Sequence, residues 1–391
     1  MRGTSPNAQE IAMDGHVTAE ATAPHRKATD AHAFHAHGRE HHHDDHKAER
    51  QIMQADKLVN LALQGGGAHG AFTWGVLDRL LEDERIGFDG ISATSAGAMN
   101  AVVLAYGLSV GGRDGAKKAL ASFWRRVSHA AAFGPLQPTP LDRILGNRSL
   151  EASPAFVLFD LMSRLFSPYQ LNPLNYNPLR QVLEQTVDFD AIRRAECPVK
   201  LFLSAANVRS GKVRVFDNMD ITADAVLASS CLPFMFQAVE VDGESYWDGG
   251  YMGNPAIFPL IYNCDSPDVL VVHINPIERE ALPRSATEIM NRINEISFNS
   301  SLMREMRAIS FVTRLIDEND GLESQLRRMM IHSIAADDVM GKLGVASKLN
   351  ADWEFLSALK ETGRERAEAW LGENFDRIGR ESTTDIRDRY L

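Results

Sequence analysis

The chain has 391 residues, 44% hydrophobic and 24% charged, with a formal net charge of −11. This balance is ordinary for a globular protein, and the acidic charge argues against broad nucleic-acid binding and against electrostatic attraction to anionic membranes. No apolar run approaches the roughly 20 residues of a membrane-spanning helix. The first residues lack the apolar core of a secretory signal, and the three scattered cysteines, Cys197, Cys231 and Cys264, suit a reducing compartment, so a cytoplasmic location is expected.

Residues 1–55 are rich in Ala, His, Asp and Glu and hold nine of the thirteen histidines, peaking between His32 and His46. With almost no large aliphatics the stretch cannot bury enough surface to fold alone, which predicts a disordered tail. Dense imidazoles can bind zinc, nickel or copper adventitiously, but no fixed ligand spacing is present, so no metal or cofactor is expected.

An apolar strand is predicted at Leu58 to Leu63, followed by the loop QGGGAHG, Gln64 to Gly70, and a helix beginning at Ala71. Strand, glycine loop and helix form an anion-binding turn, because several amides point one way and no Cβ obstructs them. Gly65, Gly67 and Gly70 fit the dinucleotide spacing, yet the acid downstream, Asp89, precedes the next strand instead of ending it. The loop also lacks the Lys-Ser/Thr ending of a phosphate-binding P-loop. What remains is an oxyanion hole, in which the amides of Gly66 and Gly67 would stabilise a developing alkoxide, each donor contributing ~2.7–4 kcal/mol.

Such a loop requires a nucleophile, and the next βα turn carries Ser95 between the strand ISAT and a small-residue helix. Consecutive parallel strands often lie side by side with their carboxyl ends together. A serine at a sharp strand-to-helix turn is held with its hydroxyl exposed, and small neighbours, here Ala93 and Gly97, permit the turn. The plainer alternative is that Ser95 merely caps the helix.

Further along, Gly107 to Gly115 reads as a loop and the following KKALASFWRRV as a helix. Ala152 to Phe166 places Leu158, Leu161, Met162 and Leu165 on one helical face, either a lid for acyl chains or membrane, or a core helix. Prolines 168, 173 and 178 enforce an extended path until Asn177 caps a new helix opened by Pro178. Val199 to Val208 is a buried strand, GKVRVF its neighbour, and ADAVLASSCLPFMF a helix ending near Pro233. Asp242-Gly243 between two alternating runs predicts a hairpin, so Asp242 belongs to the turn and Asp248 ends the returning strand before the permissive pair Gly249 and Gly250. Asp268 to Pro276 contributes another buried strand. Beyond Pro283 the pattern is helical, with an apolar stripe through Ile289, Ile293, Ile296, Met303, Met306, Ile309 and Leu315, then a second helix bearing Trp353, Leu356 and Trp370.

Activation of Ser95 needs a base. His69, His129, His273 and His332 lie in the folded region, each in a place that favours a structural role, and an aspartate can substitute if burial raises its pKa above the ordinary ~3.9. The motifs GGGAHG at Gly65 to Gly70, ATSAGA at Ala93 to Ala98 and DGG at Asp248 to Gly250 together resemble the patatin-like phospholipase family over about residues 57 to 280. That resemblance implies a three-layer α/β/α fold with a mainly parallel sheet and a Ser95–Asp248 dyad. It also implies an oxyanion hole at Gly65, Gly66 and Gly67, with Ala93, Gly97, Gly70, Gly249 and Gly250 as supporting positions, and calcium-independent hydrolysis of lipid acyl esters. Gln64 stands where some members carry Asp, and Ala93 replaces the first glycine of the elbow, where its methyl is expected to crowd the turn. The expected organisation is a tail at 1–55, a catalytic α/β domain at 56–283 and a C-terminal helical region at 284–391 packed on it. A lipid or other acyl ester is the expected substrate, with peripheral membrane contact, no nucleic-acid partner and an unspecified oligomeric state. Acyl transfer to an alcohol or lysolipid, and a catalytically silent lipid-binding scaffold, are the alternatives.

Overall fold

The apolar run Lys57–Leu63 forms the central strand β1, and the glycine loop leads through a 3-10 turn at Gly67–His69 into helix α1, Gly70–Leu80. In this computed structural model, which describes residues 55–132, 153–194, 196–279, 281–319 and 321–391, strand β2, Ile86–Ala93, lies parallel beside β1. Ser95 follows β2 at the start of helix α2, Ala96–Ala131. The histidine-rich tail lies outside the described residues, as do residues 133–152.

Helices α3, Pro154–Leu165, α4, Pro168–Leu171, α5, Pro178–Thr186, and α6, Phe189–Arg193, come next. Strands β3, Lys200–Asn207, and β4, Val213–Asp217, precede helix α7, Ala223–Ser229. The hairpin β5, Val239–Val241, and β6, Glu244–Asp248, turns on Asp242 and Gly243, both at positive φ, as an Asp-Gly turn requires. Helix α8, Phe258–Asn263, and strand β7, Asp268–Val272, are followed by helix α9, Ala286–Glu318. The chain ends with strand β8, Met330–Ile334, and helices α10, Asp337–Met340, α11, Trp353–Asn374, and α12, Ile386–Tyr390.

The eight strands form one sheet in the order β5-β6-β3-β2-β1-β7-β8, with β4 also paired to β3. Neighbours from β3 across to β8 are parallel, whereas β4, β5 and β6 pair antiparallel. Residues alternate between the faces with period two. Leu61, Leu63, Ile91, Ala93, Leu201 and Leu203 point into a core covered by α1, α2 and α11. Ala62, Phe202, Val269 and Val271 point into a second core closed by α8, α9 and α12. Burying each large aliphatic contributes about 1.5–3 kcal/mol, and both faces are needed to bury a mainly parallel sheet. The three-layer α/β/α expectation holds.

One topological detail places the site. Strand β2 pairs with β3 as far as Ala93 opposite Leu203, and β6 takes over the same edge from Ala205 opposite Asp248, because the other edge carries β4. Asp248 therefore stands two residues, about 7 Å, along β3 from the point where β2 stops and the chain turns at Ser95.

Three expectations are corrected. Gly107 to Gly115 is not a loop: the helix runs through it and breaks only at Gly111 and Gly112, where Gly112 adopts φ 60. Helix α7 stops at Ser229, short of Pro233. The region beyond 283 is not purely helical, since β8 adds itself parallel to β7, and its run MIHSI is too short and too polar to announce a strand in isolation. The core alternative for the 152–166 helix also fails among the described residues, because Leu158 and Leu165 are 59% and 65% exposed.

Candidate active site

Ser95 adopts φ 56 and ψ −123, a region that costs a residue with a Cβ on the order of 1–3 kcal/mol. The surroundings hold it there: its amide donates to Ser229 Oγ at 3.1 Å, and the Met99 amide donates to its carbonyl at 3.1 Å. Gly97 makes the tight turn possible, since a Cβ there would stand 2.3 Å from the Leu63 carbonyl oxygen. The Ser95 side chain makes no capping hydrogen bond to α2, so the plain capping role does not account for it. Ala93 does not crowd the elbow: it is an ordinary strand residue whose methyl is buried in the core.

Asp248 is fully buried. Its amide donates to the Cys231 carbonyl at 2.7 Å, and its Oδ1 accepts from the Gly250 amide at 2.7 Å. Its Oδ2 is buried with no hydrogen-bond partner among the described residues. Burial pushes the carboxyl up to about 6, opposed by the Gly250 amide, the nearby Ser95 hydroxyl and the charge of Lys348. Ser95 thus lies close enough to favour the ionised carboxylate, although no bond of normal geometry joins the two in this state. Asp242, by contrast, is exposed in the hairpin turn.

The glycine loop packs against the elbow, and a Cβ on Gly65 would lie 2.6 Å from Ser95 Cβ. Both polar groups of Gly65 are occupied: its amide donates to Asn254 Oδ1 at 2.7 Å, and Asn275 Nδ2 donates to its carbonyl at 2.8 Å. This corrects the expectation that Gly65 serves the oxyanion hole, because its donor is already satisfied. The amides of Gly66 and Gly67 have no acceptor among the described residues. In a trans peptide the carbonyl and the next N–H point opposite ways, so anchoring the Gly65 carbonyl aims the Gly66 amide away from Asn275. Among the supporting positions, Gly70 abuts Ala96, Gly249 lies against the Ser204 carbonyl and Gly250 against the Phe298 ring.

Beneath the loop, buried Gln64 accepts from the Ile274 and Asn275 amides at 2.9 and 3.0 Å and donates to the Asn254 carbonyl and Asn299 Oδ1 at 3.2 and 3.1 Å. The residue that departs from the family pattern is therefore the hub of the polar network that shapes the loop. Sequence reasoning missed Ser229, Asn254, Asn275 and Lys348. Only Asn275 had a usable signal, its place just past the carboxyl end of β7, where loops of parallel sheets face ligands.

Among the described residues, no histidine bonds to Ser95 or Asp248. His69 is buried against Ser347 Oγ at 2.7 Å, and burial, with Lys348 nearby, pulls it down to about 3. His273 bonds the Tyr390 hydroxyl at 2.7 Å, His332 bonds Asp268 at 2.8 Å, and His129 is exposed. Two surface hollows, about 550 Å³ beside Glu184 to Arg193 and about 410 Å³ beside Asp268, share no lining residue with Ser95 or Asp248.

Residues 61–261 match the family described as Patatin-like phospholipase. No curated protein matches the chain. Among solved structures it is similar to VipD from Legionella pneumophila, at 16% identity and a TM-score of 0.39, over 81% of this chain and 67% of that one. It is also similar to a chain in the complex of full-length SpcU with full-length ExoU from the type III secretion system of Pseudomonas aeruginosa, at 16% identity and a TM-score of 0.28. That likeness covers 80% of this chain and 53% of the other, so this chain spans about half the other's length.

Proposed function

Because the chain belongs to the patatin-like phospholipase family and is by that membership a lipid acyl hydrolase, we propose that Ser95 is its nucleophile, Asp248 its base, and the Gly66 and Gly67 amides its oxyanion hole. The observation that carries this reading is the unpartnered Oδ2 of buried Asp248 beside a serine held at positive φ. Ser95 Oγ bonds to the ester carbonyl carbon as its proton passes to Asp248, and the carbonyl oxygen becomes an oxyanion facing the two amides. Collapse expels the alcohol, which takes the proton from Asp248. Water, deprotonated by the same carboxylate, then releases the fatty acid and restores Ser95. A carboxyl titrating near 6 is a better base than an exposed one, and kcat/KM should rise with pH through about 6 as Asp248 ionises.

A fluorophosphonate probe tests the nucleophile directly. Mass mapping should place the adduct on Ser95 and find none in Ser95→Ala; a wild-type protein labelled elsewhere sinks the assignment.

The lipid substrate reaches the site from an apolar surface. Val157, Leu158, Leu161, Leu165 and Leu174 are exposed, and the segment carrying them is tied near the Asp248 strand, since Gln237 donates to the Asn172 carbonyl at 2.8 Å. On the other side, α9 exposes Ile289, Ile293 and Ile296 before Phe298 meets Gly250. With a net charge of −11, attachment rests on these apolar side chains and not on attraction to anionic headgroups. The double variant Leu161→Glu, Leu165→Glu should lose co-sedimentation with phosphatidylcholine vesicles while still hydrolysing a soluble short-chain ester. Unchanged co-sedimentation would refute this surface.

A further inference from the structure

The 3-10 turn Val345–Leu349, from far outside the three motifs, closes over the glycine loop. A Cβ on Gly67 would stand 2.4 Å from the Lys348 carbonyl oxygen, and Ser347 Oγ bonds His69 Nε2 at 2.7 Å. Lys348 then sends its side chain inward, where Nζ donates to Asn275 Oδ1 at 2.7 Å. The same Asn275 donates through Nδ2 to the Gly65 carbonyl at 2.8 Å.

Resting on the Ser95 nucleophile reading, we infer that Lys348 is a positioning residue of the active site: its ammonium orients Asn275, Asn275 fixes the Gly65 carbonyl, and that peptide aims the Gly66 amide at the oxyanion, with the lysine charge facing Asp248. An amide side chain can flip between two near-equivalent orientations. A cationic donor at Oδ1 removes that freedom, because the flipped amide would present its NH₂ group to the ammonium and its oxygen to the Gly65 carbonyl.

The charges around Lys348 are consistent with this role. His69 is neutral, so the loop has no cation of its own. Glu295 faces Lys348 but is ion-paired to Arg279 at 2.5 Å and to Arg292 at 3.2 Å. Among the described residues Lys348 makes no ion pair, and its hydrogen bond goes to a neutral amide, which leaves its field for the site. Burial lowers Lys348 to about 8, with Glu295 and Asp248 raising it and Arg279 lowering it. The ammonium form therefore predominates at neutral pH and is lost as pH rises through about 8.

The test measures kcat and KM against pH on a soluble ester for the wild type, Lys348→Met and Lys348→Arg, alongside fluorophosphonate labelling of Ser95. Lys348→Met is expected to lower kcat about 10- to 100-fold with a much smaller change in KM, as for a misaimed oxyanion donor. Its acidic limb should move upward, because the charge that favours ionised Asp248 is gone. Lys348→Arg should recover most of the rate and lose the alkaline limb near 8, since a guanidinium stays charged. Wild-type kcat in Lys348→Met overturns the inference. So does an alkaline limb that stays near 8 in Lys348→Arg, which decides the matter alone if the methionine variant fails to fold. A wild type with no label on Ser95 would instead remove the nucleophile reading, a result distinct from both.

Discussion

Asp248→Asn is expected to lower kcat about a thousand- to ten-thousand-fold while leaving the fold intact. The asparagine can still accept the Gly250 amide through Oδ1, so the turn after β6 keeps its hydrogen bond. What it cannot do is accept a proton from Ser95. Stability should move the other way. The native carboxyl titrates near 6, above the unfolded value of 3.8, so between those values the native state binds more protons and folding weakens as pH rises. Above about 6 the full cost of a buried carboxylate is present, and asparagine removes it. Thermal melts should therefore find Asp248→Asn at least as stable as wild type at pH 8, with the difference shrinking toward pH 4. Asp242→Asn, exposed in the hairpin turn, should keep wild-type kcat. An active Asp248→Asn, or an inactive but folded Asp242→Asn, would show that the wrong carboxylate has been assigned.

Gly97→Ala should be nearly as damaging, for a steric reason. Its Cβ would lie 2.3 Å from the Leu63 carbonyl oxygen and 2.8 Å from that of Gln64, both backbone atoms at the end of the central strand. Neither can yield freely, because the Thr94 amide donates to Leu63 at 3.3 Å and Gln64 anchors the glycine loop through buried Asn275 and Asn299. A loss of about 3 kcal/mol or more is expected in a denaturant titration, at the severe end for a single overpacking methyl. Activity should fall further than stability, since the variant can fold only by pushing the elbow away from the loop. A variant with the wild-type denaturation midpoint would mean that strand and helix do not approach this closely.

The contrast between Gly97 and Ala93 shows how far the sequence could be read. Both flank Ser95 by two residues, and the motif treats them alike. Only Gly97 meets a backbone across the turn, while the Ala93 methyl points into the core as any strand residue would. Likewise, the exposed stripe at Ile289, Ile293 and Ile296 and the buried Met306 and Ile309 belong to one apolar pattern on one helix. Periodicity records which face is apolar; what covers that face depends on the neighbours.

Local chemistry was sufficient for the elements and the motifs. Glycines with no Cβ mark an anion loop, Asp-Gly demands a hairpin, Asn177 with Pro178 starts a helix, and apolar runs between them make strands, all through contacts a few residues long. These reach Ser95 and place Asp248 at a strand end. Pairing between distant segments decided the rest: β6 takes over the edge of β3 where β2 stops, and this brings Asp248 to Ser95. It also puts Asn254, Asn275 and Lys348 around one glycine loop, although nothing in their local sequence points to it, because hydrogen bonds and charge act through space between segments that the chain separates widely.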